Sequence, residues 1–167
     1  GTPQLTLETG STDAVVNFTS VSGATLTFNY TVASGHLNTD LDYASTSALA
    51  LNSGTIRDAA TNNATLTLAS PGASGSLAAN KALVSDGVLP TISSVSLAAN
   101  NSTIAVTMSE AVYNATSGSG SLEATDFALS ISGGQATMSS ATPSSISVSG
   151  NVYTLGLSLN RTPNGSE

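Results

Sequence analysis

Cysteine and tryptophan are both missing from the 167 residues. No disulfide framework and no thiolate chemistry are open to such a chain, and there is no indole to stack on a sugar ring. Basic charge is scarce as well: three Lys or Arg stand against ten Asp or Glu, a formal net charge of −7. That balance argues against nucleic acid and against an anionic membrane surface, since both ask for cationic neutralisation. It makes a weakly held cation the natural complement. No apolar run approaches the roughly 18 residues of a membrane span, and no stretch of useful length has helical periodicity. Charged residues make up 8% of the chain, against about 25% in an average soluble domain.

Hydroxyls take over the solvating role. Serine (29) and threonine (23) account for 52 of the 167 residues. The hydrophobic fraction of 40% is enough for a core, which separates the chain from disordered Ser/Thr/Gly tracts. Apolar residues alternate with Thr and Ser in short runs, the pattern of half-buried strands. Alternation predicts strands over 4–8 and 14–18. A longer one follows, with Leu26, Phe28, Tyr30 and Val32 facing a core and Thr25, Thr27, Asn29 and Thr31 facing water. Residues 36–47 are less regular, with room for one helical turn, and short strands are expected near 48–51, 55–57 and 63–68. Downstream, strands are predicted over 92–97 and 103–108, then an inward row of Phe127, Leu129 and Ile131. A last long strand carries Tyr153, Leu155, Leu157 and Leu159. Between the halves, residues 85–90 combine an acidic residue, a glycine and a proline, as a link does. The expected units are therefore 1–86 and 87–167.

Two parts of the chain copy each other. Ser20-Val21-Ser22-Gly23 and the Leu26/Phe28/Tyr30/Val32 row match Ser147-Val148-Ser149-Gly150 and the Tyr153/Leu155/Leu157/Leu159 row, 127 positions later. Leu5-Thr6-Leu7 before Gly10 matches Leu129-Ser130-Ile131 before Gly133, 124 positions later. A repeat of about 125 residues follows. In that register the first unit lacks counterparts of 92–97 and 103–108, and the second lacks counterparts of 36–84. Two explanations stand: a piece of a tandem array, or units completed head to tail by strands from neighbouring chains.

Leu89-Pro90-Thr91-Ile92-Ser93-Ser94-Val95, then Ile104-Ala105-Val106-Thr107-Met108-Ser109-Glu110-Ala111-Val112, then Asp126-Phe127-Ala128-Leu129, resemble bacterial Ig-like domains of very large surface proteins. Thr2-Pro3-Gln4-Leu5-Thr6-Leu7 and Arg57-Asp58-Ala59-Ala60-Thr61-Asn62 fit other segments of such repeats, with Thr61 where the family pattern carries glycine. The resemblance covers nearly the whole chain. It implies a β-sandwich spacer in an extracellular adhesin or related surface array.

Hard cations want several oxygens at one point. Asp86 in the link with Glu110 and Asp126, Asp58 with Asn62, and Asp40 with Asp42 are the candidate calcium ligands; the bland alternative is solvated turn residues and Asx caps. His36 is the only histidine, and without a Gly-x-Ser-x-Gly elbow a serine triad with Asp40 has no support. A glycosidase pair of Glu8 with Glu110 or Glu123 lacks any sign of a cleft. Eight Asn-x-Ser/Thr sequons occur, at Asn17, Asn29, Asn63, Asn100, Asn101, Asn114, Asn160 and Asn164, against about four expected by chance.

The expectation is an all-β protein of two tandem Ig-like β-sandwich units, antiparallel and of Greek-key type, one or both incomplete. Its expected role is mechanical and non-enzymatic: a spacer or stalk repeat of an extracellular adhesin or appendage, partnered by adjacent copies head to tail, with calcium the one cofactor to consider. The runner-up is a self-assembling filament or surface-layer subunit. A carbohydrate-binding module is disfavoured, because Phe18, Phe28, Tyr30, Phe127 and Tyr153 fall on inward rows and only Tyr43 and Tyr113 are left for a platform.

Overall fold

A computed structural model describes residues 1–163; the Asn164 sequon lies outside them. The chain divides into two compact units, Gly1–Leu89 and Pro90–Glu167. In chain order the first holds β1 (Gln4–Leu7), β2 (Ala14–Ser22), β3 (Thr25–Phe28), β4 (Leu37–Asn38), β5 (Leu49–Ala50), the one-turn helix α1 (Leu77–Asn80) and β6 (Ser85–Asp86). The second holds β7 (Ile92–Leu97), β8 (Thr103–Met108), a 3-10 turn at Ala124–Asp126, β9 (Ile146–Ser149) and β10 (Val152–Gly156). The protein is nearly all-β, and every strand pair is antiparallel.

The main sheet of the first unit runs β3-β2-β1-β5, with β4 and β6 forming a separate two-stranded ribbon. β1 is central. Val16 stands opposite Leu5 on one side of it, and Leu49 on the other. Residues 42–48 continue along that second side, with Glu8 N–H bonded to Asp42 O and Thr6 N–H to Ala48 O. This brings Leu41, Tyr43 and Ala48 onto Leu7 and Val16, the buried core, with Leu5, Phe28, Tyr30, Leu68 and Leu77 partly buried against it. The second unit is one four-stranded sheet in the order β7-β8-β10-β9, with Leu155 (0% exposed) and Tyr153 (4%) at its centre.

Both copies of Ser-Val-Ser-Gly form a two-residue hairpin turn. Gly23 (φ 58°) and Gly150 (φ 56°) take the first central position, while Ala24 and Asn151 behind them have ordinary negative φ, the arrangement of a type II′ turn. A Cβ on either glycine would meet open space, so the backbone angle, not crowding, selects glycine here. The pairing register is the same in both. Ser22 faces Thr25, Val21 faces Leu26 and Ser20 faces Thr27; Ser149 faces Val152, Val148 faces Tyr153 and Ser147 faces Thr154.

Several expected elements are corrected. The long strand after Gly23 stops at Phe28. A register shift between Phe18 and Ser20 leaves Thr19 as a bulge, and Asn29 N–H donates to the Thr19 hydroxyl instead of to the ladder, so Tyr30 and Val32 leave the sheet. The strand expected over 63–68 is reduced to one bridge, Arg57 with Asn63. The helical turn lies at α1, capped by the Ser76 hydroxyl, and not within 36–47. Phe127–Ile131 is not a regular strand, although Leu129 N–H bonds Ala141 O. The last long strand ends at Gly156, where Ser144 and Ser145 approach so closely that a side chain would collide. The presumed link is partly strand: Ser85 and Asp86 pair with Asn38 and Leu37, and Gly87 exchanges backbone bonds with Gly35 and His36. That segment closes the first unit before the chain moves on.

Candidate functional site

The acidic residues singled out by sequence have distinct fates. Asp42 is buried (6% exposed). Its carboxylate accepts from the N–H groups of Tyr43 (2.9 Å), Gly72 (2.9 Å) and Leu77 (3.1 Å). Burial alone would raise its pKa, but these amides, with the Ser76 hydroxyl, outweigh it and hold the carboxyl below its usual value. One side chain thus ties the 72–77 loop and the start of α1 to the segment covering the core. Tyr43 beside it donates its phenol to Ala69 O at 2.6 Å; burial first, and then the Asp42 charge, push its pKa up and keep the proton in place. Asp40, two residues away, is exposed and its backbone N–H bonds the Asn38 side chain.

Asp58 and Asn62 do come together, across a tight loop closed by Thr61 N–H to Asp58 O and Asp58 N–H to Asn62 O. The Asp58 carboxylate accepts from the Asn62 backbone (2.8 Å) and side-chain amide (2.8 Å), and these bonds lower its pKa. Thr61 between them sits at φ 69°, the left-handed region that glycine adopts without penalty. Asp86 accepts from Val88 N–H. Asp126 accepts from Glu123 N–H (2.7 Å) and the Asn114 side chain, and Glu110 lines a shallow depression with Pro90 and Tyr113. Among the described residues no three His, Asp or Glu side chains gather as a metal-ligand group.

His36 and Glu8 both find partners close by in the chain. The His36 Nδ1 lies 2.8 Å from the Tyr30 hydroxyl and accepts from Ala33 N–H at 3.2 Å, with the two rings stacked. His36 acts as a clip for the chain that peels away after Phe28. The Glu8 carboxylate accepts from Gly10 N–H, inside its own turn. Sequence reasoning missed the inward roles of Asp42 and His36. The signal for Asp42 was present: an acidic residue between Leu41 and Tyr43, two side chains that both go to the core.

What stands out on the surface is exposed backbone edge and apolar surface. Among the described residues β3 pairs with a strand on one side only, as do β7 and β9. All six residues of β7 are exposed, including Ile92, Val95 and Leu97. An apolar cleft of about 530 Å³ in the second unit is lined by Leu97, Ile104, Leu129, Ile131, Leu157 and Leu159, among others. By the repeat, Leu129, Ile131 and Leu157 correspond to Leu5, Leu7 and Tyr30, which in the first unit pack with Leu41, Tyr43 and Ala48. Known proteins supply no parallel: no family model matches the chain, and no curated protein or solved structure does.

Proposed function

We propose that the chain is a non-enzymatic spacer built from two Ig-like β-sandwich repeats, part of the stalk of an extracellular bacterial surface protein or adhesin. The observation that supports this best is the recurring hairpin, with the same turn and the same pair register 127 positions apart in two separate compact units. A duplicated module that each time builds its own sheet is how a repeat array is extended. The hydroxyl-rich, lysine-poor surface and the absence of cysteine suit a scaffold better than a reactive site, and the carboxylates of Asp42, Asp58, Asp86 and Asp126 accept bonds from amides of the fold.

Pulling the chain by its two ends tests the reading. Two separate force peaks are expected, releasing contour lengths of about 310 Å and 270 Å for the two units at ~3.5 Å per residue. Extension without a resisting peak overturns it. A second reading, a filament subunit completed by its neighbours, is favoured by one specific feature, the open edges of β3 and β7. Light scattering over a concentration series separates the two: a constant mass supports the spacer, and growth with concentration supports the filament.

A further inference from the structure

We infer that the open edge of β3 is a docking site for a strand of the β8 type, supplied by another copy of this repeat, in a register that the second unit specifies. The inference rests on reading the two units as repeats. In the second unit the hairpin's later strand, β10, lies between β9 and β8. Its alternate residues turn their backbone groups toward β8. Met108 N–H bonds Asn151 O and Leu157 N–H bonds Ser102 O, and between them Tyr153 faces Val106 and Leu155 faces Ile104. The intervening residues face the other way, as Gly156 N–H does toward Ser145 O.

The same alternation, moved back 127 positions, falls on β3. Thr25 and Thr27 bond β2, and Asn29 N–H still points to that side, at the Thr19 hydroxyl. The N–H and C=O groups of Leu26 and Phe28 therefore point outward, where β3 has no second partner strand among the described residues; the 56–64 segment lies near Leu26 without pairing to it. Burial agrees. Tyr153 and Leu155 are buried (4% and 0% exposed), while Leu26 and Phe28 in the equivalent places are only partly covered. β3 carries neither a charge nor a proline, the devices that ordinarily blunt an edge; β8 of this chain is already held between β7 and β10, so the incoming strand is one of the same type that has no β10 of its own. The expected pairs are Leu26 with Val106 and Phe28 with Ile104 of the incoming strand, antiparallel, adding a fifth strand to the β3-β2-β1-β5 sheet.

The test uses the whole chain and a labelled synthetic peptide of residues 101–109. Saturable binding by fluorescence anisotropy is expected, with new hydrogen-exchange protection at the Leu26 and Phe28 amides. The same peptide N-methylated at Ile104 and Val106, which loses the two donors facing β3, is expected to bind about thirtyfold more weakly; this comparison leaves the protein unaltered. Absence of binding, binding indifferent to N-methylation, or protection at β9 or β10 in place of β3 overturns the inference. If the peptide fails while two force peaks are still seen on stretching, docking is wrong and the spacer reading stands. Loss of both removes the repeat reading itself.

Discussion

The two Ser-Val-Ser-Gly hairpins share turn, register and residue pattern, yet they sit in their sheets the opposite way round. In the first unit the earlier strand, β2, is the inner one and the later strand, β3, is the edge; in the second the later strand, β10, is inner and the earlier one, β9, is the edge. The local code is complete within about ten residues: a glycine that accepts positive φ, hydroxyls facing water, and an alternating apolar row. Which side of the hairpin receives the rest of the sheet is decided elsewhere, by which strands lie within reach. β1 and the 42–50 segment flank the first hairpin through β2; β7 and β8 flank the second through β10. Each unit has solved half of the same packing problem, and the halves differ.

The sharpest way to break this comparison is to cut the same cavity in both copies. Leu155→Ala removes a fully buried side chain and is expected to cost the second unit about 3 kcal/mol. Its counterpart Phe28→Ala removes a larger but only half-covered ring and is expected to cost the first unit about 1–2 kcal/mol. Native-state hydrogen exchange, read at amides in each unit, reports both. Equal costs, or a greater cost at Phe28, would mean that the two rows are equally enclosed and that the first hairpin has no unfilled side.

How legible this was from sequence depends on distance along the chain. The hairpins, β7 and β8 were plain because alternation and a glycine turn are local signals: Ile104, Val106 and Met108 mark one face of β8 with no outside information. The ends of the long strands were not, because their causes are tertiary. The register shift that places Thr19 opposite Asn29 and the crowding of Ser144 and Ser145 on Gly156 depend on partners ten or more residues away. The same holds for Asp42. Its neighbours Leu41 and Tyr43 hinted at burial, but its amide partners at 72 and 77 lie about 30 residues downstream in a stretch with no periodicity to place it. Residues 85–86 read as a link because their composition is that of one; only the pairing with Leu37 and Asn38 makes them a strand.

Asp42 sharpens the contrast from the other side, since it fastens a layer over the first unit's core that has no counterpart over the second unit's apolar cleft among the described residues. Asp42→Ala leaves three amide N–H groups without their acceptor. It is expected to destabilise the first unit by about 2–4 kcal/mol and to leave exchange in the second unit unchanged. The pH dependence follows from the same bonds. The folded-state pKa of Asp42 is lowered from 3.8, so the stabilisation is fully present above the unfolded value and is lost as pH falls through the lower folded one. The shift at Asp58 has the same sign. Urea midpoints measured from pH 6 down to pH 2 should fall below about pH 4, and less steeply in Asp42→Asn. An unchanged acid limb in that variant would show that the carboxylate charge plays no part in holding the covering layer.

The smallest expected effect concerns a turn of the first unit. Thr61 holds φ 69° in a loop fixed by Asp58 and Asn62. A β-branched side chain in the left-handed region is strained by about 1–2 kcal/mol, and Thr61 is exposed, so its removal sacrifices no core contact. Glycine relieves that strain but loosens the unfolded chain, which takes back about 0.5–1 kcal/mol. Thr61→Gly is therefore expected to stabilise the first unit by about 0.5 kcal/mol, while Thr61→Ala, which keeps a Cβ in the same backbone state, should gain less. A loss of stability in the glycine variant would mean that the threonine side chain, and not the Asp58–Asn62 bonding, holds the turn. That would remove the backbone angle as the reason why glycine suits this position.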